Sequence, residues 1–176
     1  MKHQIRKSVF DTNSSSVHSI AIGKKGWNNL PDEVEFSCGQ FGWERESYSD
    51  ISSRASYLWT AVWSKYQESW CPDDENKDLK ESPDYSDYKD YISETLGQYG
   101  VVAKFFTPSD DDFCYIDHVS SLYQWVDKIR NSEELLMMFL FSPDSIILTG
   151  NDNDGDYPDV NDFDEDNYLD IEEKYN

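Results

Sequence analysis

Hydrophobic positions recur at three- and four-residue steps in several stretches of the chain, which is the spacing of amphipathic helices. The first stretch covers about 50–70, after a serine and an aspartate that can act as N-cap. The second covers 82–96, where a serine followed by a proline supplies a start signal. The third covers 119–129. The last begins at the Ser132 N-cap and continues through LLMMFLF, and because it is apolar all round we expect it to be central.

Short apolar or alternating runs, which are typical of strands, mark other segments. These segments are 4–10, 17–22, 34–36, 101–106, 113–116 and 145–149. We expect the first three to form a small antiparallel sheet, with 17–22 half-buried. The next two flank the acid-rich loop 107–112 and predict a hairpin. Together the elements predict a single α+β domain over residues 1–150, in which a small antiparallel or mixed sheet is covered by about four helices.

The charge distribution adds an acidic C-terminal extension to this picture. The chain carries 36 acidic and 15 basic residues, for a formal net charge of −21. Residues 151–176 hold eleven of these acids against Lys174 alone. We predict that 151–176 is a tail whose deletion leaves the domain folded. Its candidate partner-binding residues are Asp152, Asp154, Asp156, Asp159, Asp162, Asp164, Glu165 and Asp166.

The net charge also limits the classes of partner. A nucleic-acid backbone would approach this protein against repulsion, so direct binding of nucleic acid is disfavoured. A basic protein surface is the electrostatically favoured partner, and the alternative is that the acidity serves solubility alone. Tyr85, Tyr88 and Tyr91 share a helix face, either as core residues or as interface anchors. The longest apolar run, 135–141, is too short for a membrane span, so we predict no membrane association.

Cys38, Cys71 and Cys114 are an odd set without a CxxC pair. Neither a disulfide framework nor a cysteine zinc site is indicated by this spacing. We therefore expect buried free thiols in a reducing compartment. The N-terminal segment has charge but lacks the apolar stretch of a signal peptide, and the two observations together predict a cytoplasmic protein.

The segment FDTNSSSVHS, residues 10–19, combines five hydroxyl side chains with an imidazole beside the basic part of the chain. Hydroxyls and nearby lysines can cradle a phosphate group. The candidate phosphate-binding residues are Thr12, Ser14, Ser15, Ser16, Lys24 and Lys25. A nucleophilic Ser16 with His18 as its base would instead predict an enzyme, because residues two apart on a strand share a face. The third interpretation is a turn in which the hydroxyls satisfy backbone groups.

Histidine is too sparse in this chain to favour a metal site. Such a site would need His18 or His118 joined by a carboxylate such as Asp117, and no metal-binding spacing is present. We predict no metal and no cofactor, and we interpret His118 as a capping or core residue.

Two short blocks, SVFDTNSSSVHSI near the start and ILTGNDND at 147–154, resemble small, functionally uncharacterised proteins of bacteriophages and mobile elements that share a TNSSSxHS signature. No activity or catalytic residue can be transferred through this resemblance. It implies an origin in a phage or mobile element and a site of action in the bacterial cytoplasm. Because such proteins often act on host machinery, it also implies an inhibitor or modulator.

The resulting lead hypothesis is an acidic phage-type protein that binds a basic, nucleic-acid-binding surface of a host protein. In this role it would act as an inhibitor or nucleic-acid mimic against a defence system. The first alternative is a nucleotide- or phosphate-binding protein, or a Ser/His enzyme, that uses the segment from Thr12 to Ser19. The second alternative is a structural component associated with the virion.

Overall fold

The computed structural model describes residues 16–27, 29–42, 45–70, 82–106, 114–151 and 167–174. The elements follow the order β1 (Ser16–Gly23), β2 (Glu33–Phe36), β3 (Gln40–Phe41), β4 (Glu46–Tyr48), α1 (Ile51–Trp70), α2 (Pro83–Gln98), β5 (Val102–Phe105), β6 (Tyr115–Ile116), α3 (Tyr123–Arg130), α4 (Glu133–Phe141), β7 (Ile146–Asn151) and β8 (Tyr168–Lys174). A 3₁₀ turn, Val119–Leu122, precedes α3. The predicted α+β class is confirmed.

Strand β1 is an internal strand of an antiparallel sheet with the order β4-β7-β1-β8. Ile20 lies opposite Ile147 on β7, and β8 pairs along the other side. Every β1 side chain from Val17 to Ile22 is buried. The strand predicted to be half-buried is therefore buried on both faces: Ile20 and Ile22 belong to the main core, and Val17, Ser19 and Ala21 on the opposite face are also fully buried. Its predicted partner, 4–10, lies outside the described residues.

Two further strand pairs are parallel, and neither is the predicted hairpin. β5 pairs with β2, and β6 pairs with β3. The hairpin prediction was wrong because the two halves of each pair come from distant parts of the chain, with α1 and α2 in the crossover that parallel pairing requires. The prediction that 34–36 joins 17–22 in one small antiparallel sheet was also wrong, because 34–36 belongs to β2, which pairs in parallel with β5.

The four predicted helices form, and local capping explains where they begin. Asp50 accepts a hydrogen bond from the Ser53 amide at the start of α1. Ser82 and Ser132 do the same for Tyr85 and Leu135 at the starts of α2 and α4. The central position predicted for α4 is confirmed, since its fully buried side chains belong to the main core. These are Leu136, Met137, Phe139 and Leu140.

The C-terminal segment contributes a strand to the main sheet. β8 pairs antiparallel with β1, with Asp170 opposite Ile22 and in an ion pair with Lys128 of α3. The predicted tail is therefore corrected for residues 168–174. Among the described strands β8 lies at the edge of this sheet, and an edge strand tolerates charged side chains, so the acidity of this segment did not exclude a strand. Residues 152–166, between β7 and β8, lie outside the described residues.

Cys38 and Cys114 form a disulfide bond, with their Cα atoms 5.1 Å apart. This corrects the prediction of free thiols for these two residues, while Cys71 lies outside the described residues. The two cysteines meet because they precede the paired strands β3 and β6, where Gly39 O accepts a hydrogen bond from Tyr115 N–H. Their separation of 76 residues carries no local signal in the sequence.

Candidate functional site

His18 is fully buried on β1, and both of its ring nitrogens have partners. The Tyr57 hydroxyl lies 2.9 Å from Nδ1, and the backbone oxygen of Asp117 lies 3.0 Å from Nε2. A carbonyl oxygen can only accept a hydrogen bond, so Nε2 carries the proton and donates it. Nδ1 then accepts from the Tyr57 hydroxyl. A neutral imidazole therefore satisfies both partners and connects β1 with α1 and with the end of β6.

The electrostatics of this position also favour a neutral His18. Burial lowers the pKa of His18 to about 4, against the smaller opposing effect of the hydrogen bond to the Asp117 backbone. Burial likewise raises the pKa of Tyr57 well above its ordinary value. A general base needs a lone pair aimed at its nucleophile, and the Nδ1 lone pair already accepts from Tyr57. The described contacts favour a structural role for His18, and the Ser16–His18 enzyme stays a prediction.

A closely packed corner holds Asp117 against His18. Gly42 has a φ of +118°, and a Cβ there would lie 2.9 Å from the Asp117 Cβ and 3.1 Å from the His18 Cε1. Tyr115 donates its hydroxyl to Asp117 Oδ1 at 2.6 Å. His118 adopts a left-handed conformation with φ 52° and occupies the N-cap position of the 3₁₀ turn without a side-chain capping bond. It is exposed, so the core interpretation of His118 was wrong.

The phosphate-binding candidates are not brought together within the described part of the chain. Ser16 opens β1, whereas Lys24 and Lys25 follow the other end of the strand and are exposed. At about 3.3 Å per residue, the eight steps from Ser16 to Lys24 span roughly 26 Å. That distance is too large for both residues to contact one phosphate. Thr12, Ser14 and Ser15 lie outside the described residues, and a phosphate site there stays a prediction.

The partner-binding candidates of 152–166 also lie outside the described residues, but the structure describes a second acidic surface, on α2. We call it the acidic face of α2, and its residues are Asp84, Asp87, Asp90 and Glu94, all exposed. Steps of three and four residues place them on one side of the helix, over a length of about 15 Å. The helix contains a single basic residue, Lys89. Arg130 approaches one of the carboxylates, with its Nη2 3.8 Å from Asp87 Oδ2.

The opposite face of α2 fixes the helix to the core. Tyr85 and Tyr88 are buried, and the Tyr88 hydroxyl donates to the backbone oxygen of Val126 at 3.0 Å. The partly buried Tyr91 donates to Ile129 O at 2.9 Å. Tyr88 and Tyr91 therefore join α2 to α3, while the ring of Tyr85 packs against Trp59 and Trp63 of α1. The interpretation of these tyrosines as core residues is confirmed. The acidic face is consequently turned outward on a firmly held helix.

Arg54 is a buried charge that sequence reasoning did not single out. Its Nη1 donates to the backbone oxygens of Ser142 and Ser145, at 2.7 and 2.9 Å, at the end of α4. Burial lowers its pKa to about 10, which leaves the guanidinium charged at neutral pH. A cation at a helix C-terminus is favourable, so Arg54 joins the start of α1 to the end of α4. Its helical spacing resembles that of its apolar neighbours, which left no separate signal.

Comparison with protein families, with curated proteins and with solved structures finds no match to this chain. Within the described ranges, no helix combines the length and apolarity needed to cross a membrane. The same ranges contain no cluster of three or more histidine, cysteine or carboxylate side chains suited to hold a metal ion. Two described features bear directly on the predicted site residues, the buried histidine network and the outward acidic face of α2.

Proposed function

We propose that this protein binds a basic surface of another protein and that the acidic face of α2 is part of the contact. The partner is a host protein whose basic surface ordinarily binds nucleic acid. By occupying that surface, the chain acts as an inhibitor or nucleic-acid mimic. The resemblance to phage and mobile-element proteins supports a bacterial host and a role against its defence systems.

The observation that carries this proposal is the arrangement of carboxylates on α2. The acidic face holds four carboxylates, and the buried tyrosines on the other side of the helix fix their direction. The carboxylates follow one another at a rise of about 5 Å, against about 3.4 Å for successive phosphates of a DNA strand. Charges at this density, within a chain of net charge −21, complement a surface that binds a phosphate backbone.

The Cys38–Cys114 disulfide bears on the compartment in which the proposed binding takes place. A cytoplasmic host protein requires the chain to act where thiols are kept reduced, and disulfides are rare there. The Cys38–Cys114 bond must therefore either persist in the cytoplasm or be dispensable for binding. Binding measured with and without a thiol reductant separates these two cases.

The experiment is a capture from bacterial lysate on immobilised full-length chain, at low and at high salt. We expect captured proteins to be basic and to elute as the Debye length falls from about 10 Å at 0.1 M to about 3 Å at 1 M. Added duplex DNA should compete with the chain for the same surface. Capture of neutral or acidic proteins whose binding changes neither with salt nor with added DNA would contradict the proposal.

A matched pair of triple variants tests the acidic face itself. One carries Asp87→Asn, Asp90→Asn and Glu94→Gln on α2. The other carries Glu46→Gln, Glu134→Gln and Asp144→Asn, at exposed positions elsewhere. Both remove the same amount of charge. We expect the α2 variant to lose markedly more of the captured partner than the control, whereas equal losses would show that only the total charge matters.

A further inference from the structure

The parallel pair β2–β5 has one packed side and one open side. On the packed side, Phe36 stacks on Phe105 with ring centroids 5.1 Å apart, and Trp59 of α1 lies 4.7 Å from Phe105. We call the other side the outer face. Its residues are Glu33 and Glu35 of β2, Val102 and Lys104 of β5, and Phe106, which continues the ladder. All five are exposed.

The outer face is unusual for a parallel sheet. Strands in parallel pairing are normally covered on both sides. Here Val102 is 57% and Phe106 50% exposed, the two highest values among the large hydrophobic residues that are described as exposed. The two side chains stand four residues apart along an extended chain, which is about 13 Å. They therefore form two separate apolar contacts on a single surface.

The backbone holds both side chains in place. The Val102 amide donates to Asp32 O at 2.9 Å. The Phe106 amide donates to Phe36 O at 2.9 Å, and its carbonyl accepts from Trp59 Nε1 at 3.2 Å. Because hydrogen bonds fix the backbone on both sides of Phe106, its exposure is a property of the folded surface and does not reflect fraying. An apolar surface that is ordered before binding loses little entropy when a partner covers it.

The charge on the outer face indicates the chemistry of its occupant. Glu33 forms an ion pair with Lys104, and Glu35 stands next to them on the same side. The two carboxylates outnumber the single amine, and the surrounding protein is strongly acidic. A covering segment with basic side chains is therefore favoured, and apolar side chains on the same segment would cover Val102 and Phe106.

We propose that the outer face of β2–β5 is the docking surface for a basic, amphipathic, extended segment of the partner protein. This inference rests on the proposed function and specifies the surface and the partner chemistry. Apolar side chains of the segment pack on the two exposed hydrophobic residues, and its lysine or arginine side chains face the glutamates. Helix α2 leads into β5 through the turn at Tyr99 and Gly100, and the negative charge of its acidic face adds to the attraction for the basic segment.

Two synthetic peptides of equal length and charge test the inference, one alternating lysine with valine and one alternating lysine with serine. Fluorescence anisotropy of labelled peptide gives the affinity for the full chain at low salt, and amide NMR shifts locate the contact. We expect the lysine–valine peptide to bind at least about tenfold more tightly, and to shift amides of β2 and β5. Equal affinities, or shifts confined to other elements, would overturn the inference.

Variants then identify the side chains responsible. Val102→Ser and Phe106→Ser should each reduce the affinity for the lysine–valine peptide and leave that for the lysine–serine peptide unchanged. Leu169→Ser, at an exposed apolar position on β8, is the matched control and should change neither. Circular dichroism checks that each variant folds, and Val102→Thr, which keeps the branched shape, replaces Val102→Ser if it does not. Unchanged lysine–valine affinity in the outer-face variants would refute the docking surface.

The outcomes separate this inference from the proposed function. If both peptides bind equally in a salt-dependent manner, the chain binds basic partners but not through the outer face. If neither peptide binds at low salt, the proposed function fails with the inference. Sedimentation of the wild type adds a third outcome, since a dimer that Val102→Ser dissociates would make the outer face a contact between two copies of this chain and overturn the inference.

Discussion

Strand β1 and helix α2 both carry polar side chains, but the fold places these side chains in opposite environments. His18 and Ser19 of β1 are fully buried. The carboxylates of α2 are exposed, while its tyrosines fill the core. In β1 the polar side chain of His18 joins the strand to α1 and to Asp117, whereas the carboxylates of α2 are exposed and available to a partner. Residue type alone does not separate these roles, and position in the fold does.

The cause of the difference lies in the neighbours of each element. The polar side chains His18 and Ser19 of β1 are fully buried, so they must find partners inside the protein. His18 finds Tyr57 and the Asp117 backbone. α2 packs on the core through the face that carries Tyr85 and Tyr88, so its exposed face can carry charged side chains.

Removing β8 is the most severe test of the buried strand. A chain that ends at residue 166 exposes one side of β1 and loses the ion pair between Lys128 and Asp170. We expect a loss of more than about 4 kcal/mol in unfolding free energy, or no cooperative transition at all. Urea denaturation followed by tryptophan fluorescence measures it. An unchanged midpoint would restore the interpretation of 151–176 as a dispensable tail.

The disulfide should have the next largest effect. Cys38→Ser combined with Cys114→Ser opens a loop closed across 76 residues. The chain-entropy estimate for a loop of this length is about 4.5 kcal/mol. Thermal unfolding of the double variant, and of the wild type with and without a thiol reductant, measures the effect. Equal melting temperatures in all three samples would mean that the bond is absent or does not contribute in solution.

These first two tests concern contacts that the sequence could not reveal. The helices were predictable because their signals are local, as the capping by Ser82 and Ser132 illustrates. The pairing partners of the strands were not predictable, because an alternating pattern indicates a strand but does not indicate which other strand it pairs with. β5 pairs with β2, which lies more than sixty residues earlier, and the cysteines meet only as a result of the neighbouring pair β3–β6. The environment of His18 was equally unpredictable, since Tyr57 and Asp117, which contact its ring, lie 39 and 99 residues away along the chain.

Acid should weaken the β1 region through His18. Its pKa is about 4 in the folded protein, below the value of 6.5 for an exposed histidine, so the unfolded chain binds the proton first as the pH falls. The stabilising contribution is complete above about pH 6.5 and is lost progressively down to about pH 4. Between pH 7 and pH 5 we expect the wild type to lose about 2 kcal/mol more than His18→Gln, which cannot titrate.

Denaturant unfolding of both proteins at the two pH values gives this difference directly, because the other titrating groups are common to both. The glutamine amide can donate to the Asp117 carbonyl and accept from the Tyr57 hydroxyl, so the variant should remain folded. If the unfolding free energies of wild type and variant depend on pH in the same way, His18 is in contact with solvent, and the proposed difference between β1 and α2 is wrong.

The smallest effect on stability is expected on α2, and its sign is informative. Asp90 and Glu94 are four residues apart on an exposed helix face, where like charges repel by about 0.2–0.5 kcal/mol. Glu94 also lies in the C-terminal half of the helix, where a negative charge is unfavourable. Asp90→Asn with Glu94→Gln should therefore leave stability unchanged or raise it by a few tenths of a kcal/mol at low salt. The gain should vanish at high salt, and urea denaturation at both salt concentrations measures it.

A surface that is slightly more stable without its charges, but binds its partner less well, would show that the charges serve binding. A clear loss of stability would instead show that the carboxylates stabilise the fold, as His18 does on β1.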